Sequence, residues 1–180
     1  AKIISINLSR VDMYLNRRPA RGILTEPGSF LIDWNKIEKN KHVNKWNNWH
    51  QKLAKRNEER EKEIMEQGDI QIECINPIKL CIEINEHIQQ GDIIVADGGD
   101  FVATASYILQ PRSLTGWLDP GVFGTLGVGA GFILGAKLTH PDSVVWAIYG
   151  DGAFGYSLME FDTFTRHKIP VIAIIGNDAG

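Results

Sequence analysis

The chain has 180 residues, 43% hydrophobic and 23% charged, enough for one ordinary domain or for one domain and a piece of another. Its net charge of −3 leaves no basic footprint for a nucleic-acid partner. No apolar run approaches the ~20 residues of a membrane-spanning helix, and no signal peptide opens the chain.

The chain opens on an apparent strand, Ile3-Ile4-Ser5-Ile6-Asn7-Leu8, and stops just after another, at Asn177-Asp178-Ala179-Gly180. Both ends read as cuts through a larger fold. Residues 1–33 contain that strand, a turn-like Asn16-Arg17-Arg18-Pro19 and a Glu26-Pro27-Gly28 break, too little to bury a core alone. They read as the tail of a preceding domain. From 34 to 67 the chain is highly charged and free of proline and glycine, which predicts one long helical linker. Trp46, Trp49 and Leu53 share a face of it that is expected to pack, and the mixed-sign run Lys55–Glu63 reads as a solvated face.

From 68 onward helices alternate with apolar strands. Asn76 caps a helix with Pro77 at its first position, and Gly91 stops it. Cys74 and Cys81, at the turn and on this helix, form neither a disulfide framework nor a zinc site and read as reduced, mostly buried thiols. A strand at Ile93–Ala96, a helix from Phe101 to Leu109 and a loop from Gln110 to Phe123 come next. A glycine-rich helix runs to Leu138, then a strand at Val144–Tyr149, a helix from Gly155 to His167 and a strand at Val171–Ile175. Strands that are apolar on both faces, alternating with helices, predict an α/β fold: a parallel sheet covered by helices on both faces.

Ligands of such sheets bind beyond the carboxyl ends of the strands. Two ends carry suitable residues: one runs into Gly150-Asp151-Gly152, the other into Gly176-Asn177-Asp178. One crossover helix joins them, so they are expected to be neighbours with Asp151 and Asp178 on one rim. Two converging carboxylates suit magnesium, which commonly joins one or two carboxylates to a phosphorylated cofactor. Gly150 and Gly152 permit a sharp exit from the strand, and the N–H groups of Gly152 and Ala153 then face an anion. Eighteen glycines, most of them after Gly91, fit backbone that approaches a ligand closely.

Other phosphate sites fail. There is no G-x-x-x-x-G-K-[ST] run, and Gly124–Gly131 lacks both the dinucleotide spacing and a strand directly before it. The five histidines, His42, His50, His87, His140 and His167, make no metalloprotease pattern, and there is no G-x-S-x-G elbow.

Gly150-Asp151-Gly152 followed by Asn177-Asp178 resembles the magnesium and thiamine-diphosphate signature of the thiamine-diphosphate enzymes. The resemblance reaches back over Gly124-Thr125-Leu126-Gly127 and Asp97-Gly98-Gly99-Asp100-Phe101. It spans about residues 70–180, as the first part of a pyrophosphate-binding domain, with 1–33 similar to the end of the family's central domain. The runs Trp117–Gly121, Gly155–Leu158 and Glu160–Phe164, with the ending Gly176–Gly180, resemble the acetolactate-synthase-like group, which includes 2-hydroxyacyl-CoA lyases.

The resemblance implies thiamine diphosphate and Mg2+ as cofactors. Asp151 and Asp178 would ligate the metal through their side chains, and Gly180 through its backbone carbonyl. Backbone groups of Gly124 and Leu126 would hold the aminopyrimidine ring, with the Leu126 side chain beneath the cofactor. Asp100 and Phe101 match diphosphate-contact positions, although polar residues are usual there. Asp178 stands where the family usually has asparagine, and metal binding is expected to survive because the oxygen donor is retained.

The chain offers no catalytic residue of its own. The family's glutamate belongs to a separate pyrimidine-binding domain, usually on a partner subunit, which implies a homo-oligomer. Three functional readings stay open. One is a lyase giving formyl-CoA and an aldehyde one carbon shorter from a 2-hydroxyacyl-CoA. The second is an acetolactate-synthase-like carboligase or decarboxylase of 2-keto acids, and the third a non-catalytic cofactor-binding subunit. The resemblance implies an endoplasmic-reticulum membrane location, with a cytoplasmic one as the alternative.

Overall fold

The computed structural model describes residues 2–38 and 46–178. They fall into two units, Ala1–Arg56 and Asn57–Gly180, and the division lies within a helix.

In the first unit, strands β1 (Ile4–Asn7) and β2 (Arg21–Leu24) pair in parallel, with Ile4 opposite Arg21. The short helix α1 (Asp12–Leu15) joins them. Its Met13 is buried against Gly22, where any Cβ would fall on the Met13 sulfur. Helix α2 (Pro27–Glu38) starts where a break is expected from sequence. The Glu26 carboxylate accepts the N–H groups of Ser29 (2.5 Å) and Gly28 (2.8 Å), so it satisfies two donors of the first turn. Those bonds, Ser29 first, hold the Glu26 carboxyl below the usual range. Pro27 then costs nothing, because its missing N–H would have had no partner within the helix.

Helix α3 (Asn47–Gly68) covers the rest of the charged region. The expected single helix over 34–67 is therefore two helices, the first beginning well before residue 34, with 39–45 outside the described residues. Trp46, Trp49 and Leu53 do not pack as expected, being 56%, 55% and 50% exposed. Further along α3, within the second unit, only Ile64 and Gly68 are buried, so the helix meets the core at its C-terminal end.

The Asn76 side chain joins α3 to helix α4 (Pro77–His87). Its amide accepts from the N–H groups of Ile78 (2.9 Å) and Lys79 (3.3 Å) and donates to the carbonyls of Gln67 (2.9 Å) and Ile70 (3.1 Å). One side chain thus serves the orphan groups of two helix ends. The sheet follows, with strands β3 (Ile93–Ala96), β4 (Trp117–Leu118), β5 (Val145–Gly150) and β6 (Ile172–Gly176). All pairs are parallel, in the order β4-β3-β5-β6.

Alternation along the strands builds two cores. Ile94 and Ala96 of β3 and Ile148 of β5 face Cys81 and Ile84 of α4, Ile88 just after it, and Val102, Ala105 and Ile108 of helix α5 (Asp100–Ile108). Ile93 and Val95, with Val145, Ala147 and Tyr149, face the other way. There they meet Ala130, Ile133 and Ala136 of helix α6 (Gly129–Thr139), Ala153 of helix α7 (Asp151–Ser157) and Phe164 of helix α8 (Glu160–Arg166). Helices cover both faces of a parallel sheet, so the α/β class stands.

Three local expectations change. The stretch 110–123 contains β4 and a 3-10 turn at Gly121–Phe123, because Ile94 and Val95 pair with Trp117 and Leu118. The helix expected from Gly155 is two short ones, α7 beginning directly at Asp151 and α8 at Glu160. Cys81 is buried but Cys74 is exposed, since it precedes α4.

Burial raises the Cys81 thiol to about 11. It also raises the Tyr149 phenol to about 12, helped by the nearby Asp97 charge and opposed by a contact with the Ser157 hydroxyl. Both groups stay protonated in the fold above the pH at which the unfolded chain releases its protons. Their contribution is whole below pH ~9 and is lost as pH rises toward the folded values, roughly 2–3 kcal/mol for each. Urea unfolding between pH 8 and 12 should show this fall, and Cys81→Ala should remove its first part.

Candidate functional site

The strand order places a switch point between β3 and β5. The chain leaves β3 through α5 toward β4 on one side, and leaves β5 through α7 and α8 toward β6 on the other. The crossovers lie on opposite faces, which opens a crevice at the carboxyl ends of the two central strands.

Small residues line this crevice because the backbones nearly touch. The Gly150 N–H donates to the Gly98 carbonyl at 2.9 Å. A Cβ at Gly150 would lie 2.8 Å from that oxygen, and one at Gly99 would lie 3.3 Å from the Gly150 Cα. Gly99 also has φ +110°, a conformation that a side chain would strain. Two other glycines act as seats. The Leu126 side chain occupies the place of a Cβ on Gly98, and the Phe101 ring that of a Cβ on Gly176.

A cleft of about 790 Å3 results. Among its lining residues are Gly98, Gly99, Asp100 and Phe101 beyond β3, Gly150–Ala153 beyond β5, and Ile175–Asp178 beyond β6. Leu126 enters from the segment before α6, and Ile75, Pro77 and Leu80 add an apolar wall near α4.

Eight of the ten residues singled out from sequence therefore meet in one cleft: Asp100, Phe101, Leu126, Gly150, Asp151, Gly152, Ala153 and Asp178. Gly124 is not among its lining residues; it ends the 3-10 turn with φ +58° and leads to Leu126. Gly180 lies outside the described residues. Asp151 and Asp178 are both exposed at the rim. Their convergence follows from register, since Gly150 pairs directly with Gly176. The described histidines, His50, His87, His140 and His167, are exposed and none lines the cleft.

The sequence places Asp97, Gly98, Gly99 and Asn177 within the family-like runs but assigns none of them a role of its own. The run Asp97-Gly98-Gly99-Asp100 at a strand end was the available signal. Asp97 is 2% exposed, and its carboxylate accepts the N–H groups of Gly127 (2.8 Å) and Gly129 (2.7 Å).

The glycines of the cleft differ in what they tolerate. Gly150→Ala should cost about 2 kcal/mol or more, because the new methyl meets the fixed backbone of Gly98 and Gly99. Gly152→Ala should stay within about 0.5 kcal/mol of the unaltered protein, because nothing lies within 4 Å of the new carbon. Paired thermal melts would show whether the two separate in this way.

Comparison with known proteins agrees with the geometry. Residues 97–180 match the family model for the thiamine pyrophosphate enzyme, C-terminal TPP binding domain. The chain is 45% identical over 186 aligned residues to 2-hydroxyacyl-CoA lyase 2 of Bos taurus, covering 100% of this chain and 29% of that protein. It is 39% identical over 104 residues to a probable acetolactate synthase of Mycobacterium bovis, covering 58% of this chain and 19% of that one. In structure it resembles the thiamine diphosphate-dependent 4-hydroxybenzoylformate decarboxylase of Rhodococcus jostii RHA1. That match has a TM-score of 0.68 at 17% identity, over 99% of this chain and 31% of the other. The chain thus spans less than a third of the length of these relatives. The parallel sheet with a glycine-lined cleft at its switch point thus coincides with the residues, 97–180, that match the C-terminal TPP binding domain of thiamine pyrophosphate enzymes, in a chain similar along its whole length to 2-hydroxyacyl-CoA lyase 2.

Proposed function

We propose that the full-length protein is a thiamine-diphosphate- and magnesium-dependent carbon–carbon lyase. It would cleave the C1–C2 bond of a 2-hydroxyacyl-CoA to formyl-CoA and an aldehyde one carbon shorter. The observation that carries the cofactor site is the convergence of Asp151 and Asp178 on one glycine-lined cleft. The substrate rests on likeness to 2-hydroxyacyl-CoA lyase 2 across the whole chain.

The donor set fits this metal role. Among the described residues no three His, Cys, Asp or Glu side chains are grouped to hold an ion by themselves. Two rim carboxylates would suit instead a magnesium ion shared with a phosphorylated cofactor. In this reading Asp151 and Asp178 are side-chain ligands and the Gly180 carbonyl is a third. The extra charge of Asp178, compared with the asparagine usual in the family, is offset by the dication.

Thiamine diphosphate, when bound, supplies the carbanion stabilisation that such a cleavage needs. The residues of this chain bind and orient. Gly150, Gly152 and Ala153 give the diphosphate close access to backbone, with Asp100 and Phe101 beside it. Backbone groups of Gly124, outside the cleft lining itself, and of Leu126 would hold the pyrimidine end, with the Leu126 side chain beneath the cofactor. The pyrimidine-binding domain of a partner subunit completes the site, so the working protein is a homo-oligomer. The proposal includes an endoplasmic-reticulum membrane location by family likeness. No helix among the described residues is long and apolar enough to cross a membrane.

Full-length protein with thiamine diphosphate and Mg2+ should be offered a 2-hydroxyacyl-CoA and pyruvate in parallel, with products identified by mass spectrometry. Formyl-CoA and the shortened aldehyde are expected. Acetolactate would favour the carboligase reading that the mycobacterial likeness supports, and no product from either would favour a non-catalytic subunit.

The metal assignment has its own test. Asp151→Asn and Asp178→Ala should each weaken magnesium-dependent cofactor binding roughly tenfold or more. Unchanged affinity in the Asp178 variant would remove that residue from the site.

A further inference from the structure

Asp97 is a buried carboxylate immediately after β3, and its two oxygens are met by two backbone donors. Each carboxylate oxygen takes one N–H, Oδ1 from Gly127 and Oδ2 from Gly129. Gly129 is the first residue of α6, whose preceding Val128 offers no side-chain cap. The helix is therefore capped from another strand, and its positive end meets the anion. Space at this contact is tight. A Cβ at Gly129 would lie 2.8 Å from Asp97 Oδ2 and 2.7 Å from the Tyr149 ring.

The two bonds bracket Val128 and fix the backbone immediately after Leu126. Gly127 turns there with φ +87°, and a Cβ on it would lie 2.6 Å from the Tyr156 Cβ. Leu126 itself is 45% exposed, yet its side chain rests on Gly98 and lines the cleft. Burial alone holds a half-exposed leucine weakly, so the position of this side chain depends on its backbone. We propose that Asp97 is a positioning residue, whose carboxylate clamps 127–129 so that Leu126 projects over Gly98 as a fixed apolar support for the bound cofactor. The inference rests on reading the cleft as the thiamine-diphosphate site.

The test is a double-mutant cycle on the full-length protein, reading the thiamine-diphosphate dissociation constant at fixed Mg2+, with a thermal melt of each variant. Asp97→Asn keeps one acceptor oxygen and turns an amide N–H2 toward the other backbone donor. Asp97→Asn and Leu126→Ala should each weaken cofactor binding about tenfold, and the double variant should be little weaker than either, because the clamp has nothing left to position. A purely structural cap would lower the melting temperature while its effect on affinity multiplied with that of Leu126→Ala. Multiplied effects, or wild-type affinity in Asp97→Asn, would overturn the proposal. Failure of the unaltered protein to bind thiamine diphosphate would instead overturn the cofactor reading on which it rests. If Asp97→Asn does not fold, Asp97→Glu carries the same cycle. It keeps the charge and both acceptors but lengthens the arm by one methylene, and the same non-multiplying result is expected.

Discussion

The contact between the ends of β3 and β5 sets the rest of this structure. At Gly98, Gly99 and Gly150 two backbones come together more closely than side chains allow, joined by a single hydrogen bond. The crossovers from these two strands leave on opposite faces of the sheet, and the crevice opens beyond this contact. A cleft therefore opens on backbone rather than on side chains. Glycines of three strand ends line it, with the apolar side chains of Leu126 and Phe101 seated on two of them.

The side chains around the cleft divide by burial and charge. Asp151 and Asp178 stand exposed at the rim, where water solvates their negative charges. Asp97, immediately before the close contact, is enclosed and is met by donors of the backbone. Leu126 and Phe101 supply the apolar surface, each seated on a glycine at the end of a different strand. Three acidic residues in one neighbourhood thus sit in different surroundings, two solvated and one enclosed.

Much of this was legible in the sequence. Doubly apolar strands such as Ile93–Ala96 can be satisfied only with helices on both sides, and both cores are present. The Asn76-Pro77 start appears as read, because capping chemistry is local. The rim carboxylates could be paired because a single crossover joins their strands. What escaped was set by tertiary pairing. Trp117 and Leu118 are extended because Ile94 and Val95 lie beside them, and nothing local announces so short a strand. Glu26-Pro27-Gly28 reads equally as a break or as a capped helix start, and the two N–H bonds to the Glu26 carboxylate decide it. The role of Asp97 depends on glycines some thirty residues further on, a distance no local pattern spans.

The pairing of Gly150 with Gly176 carries a consequence for how such a site can diverge. In a parallel ladder one residue advances the chain by about 3.3 Å and reverses the facing of the next side chain. A single insertion within β5 or β6 would therefore separate the two rim carboxylates, even with every functional residue retained. The crossover between the strands is under no such constraint: residues added between α7 and α8 would lengthen the path without changing where it lands. Lineages carrying this fold are free to vary the number of residues between the two acidic positions, while the strands that deliver them stay in step.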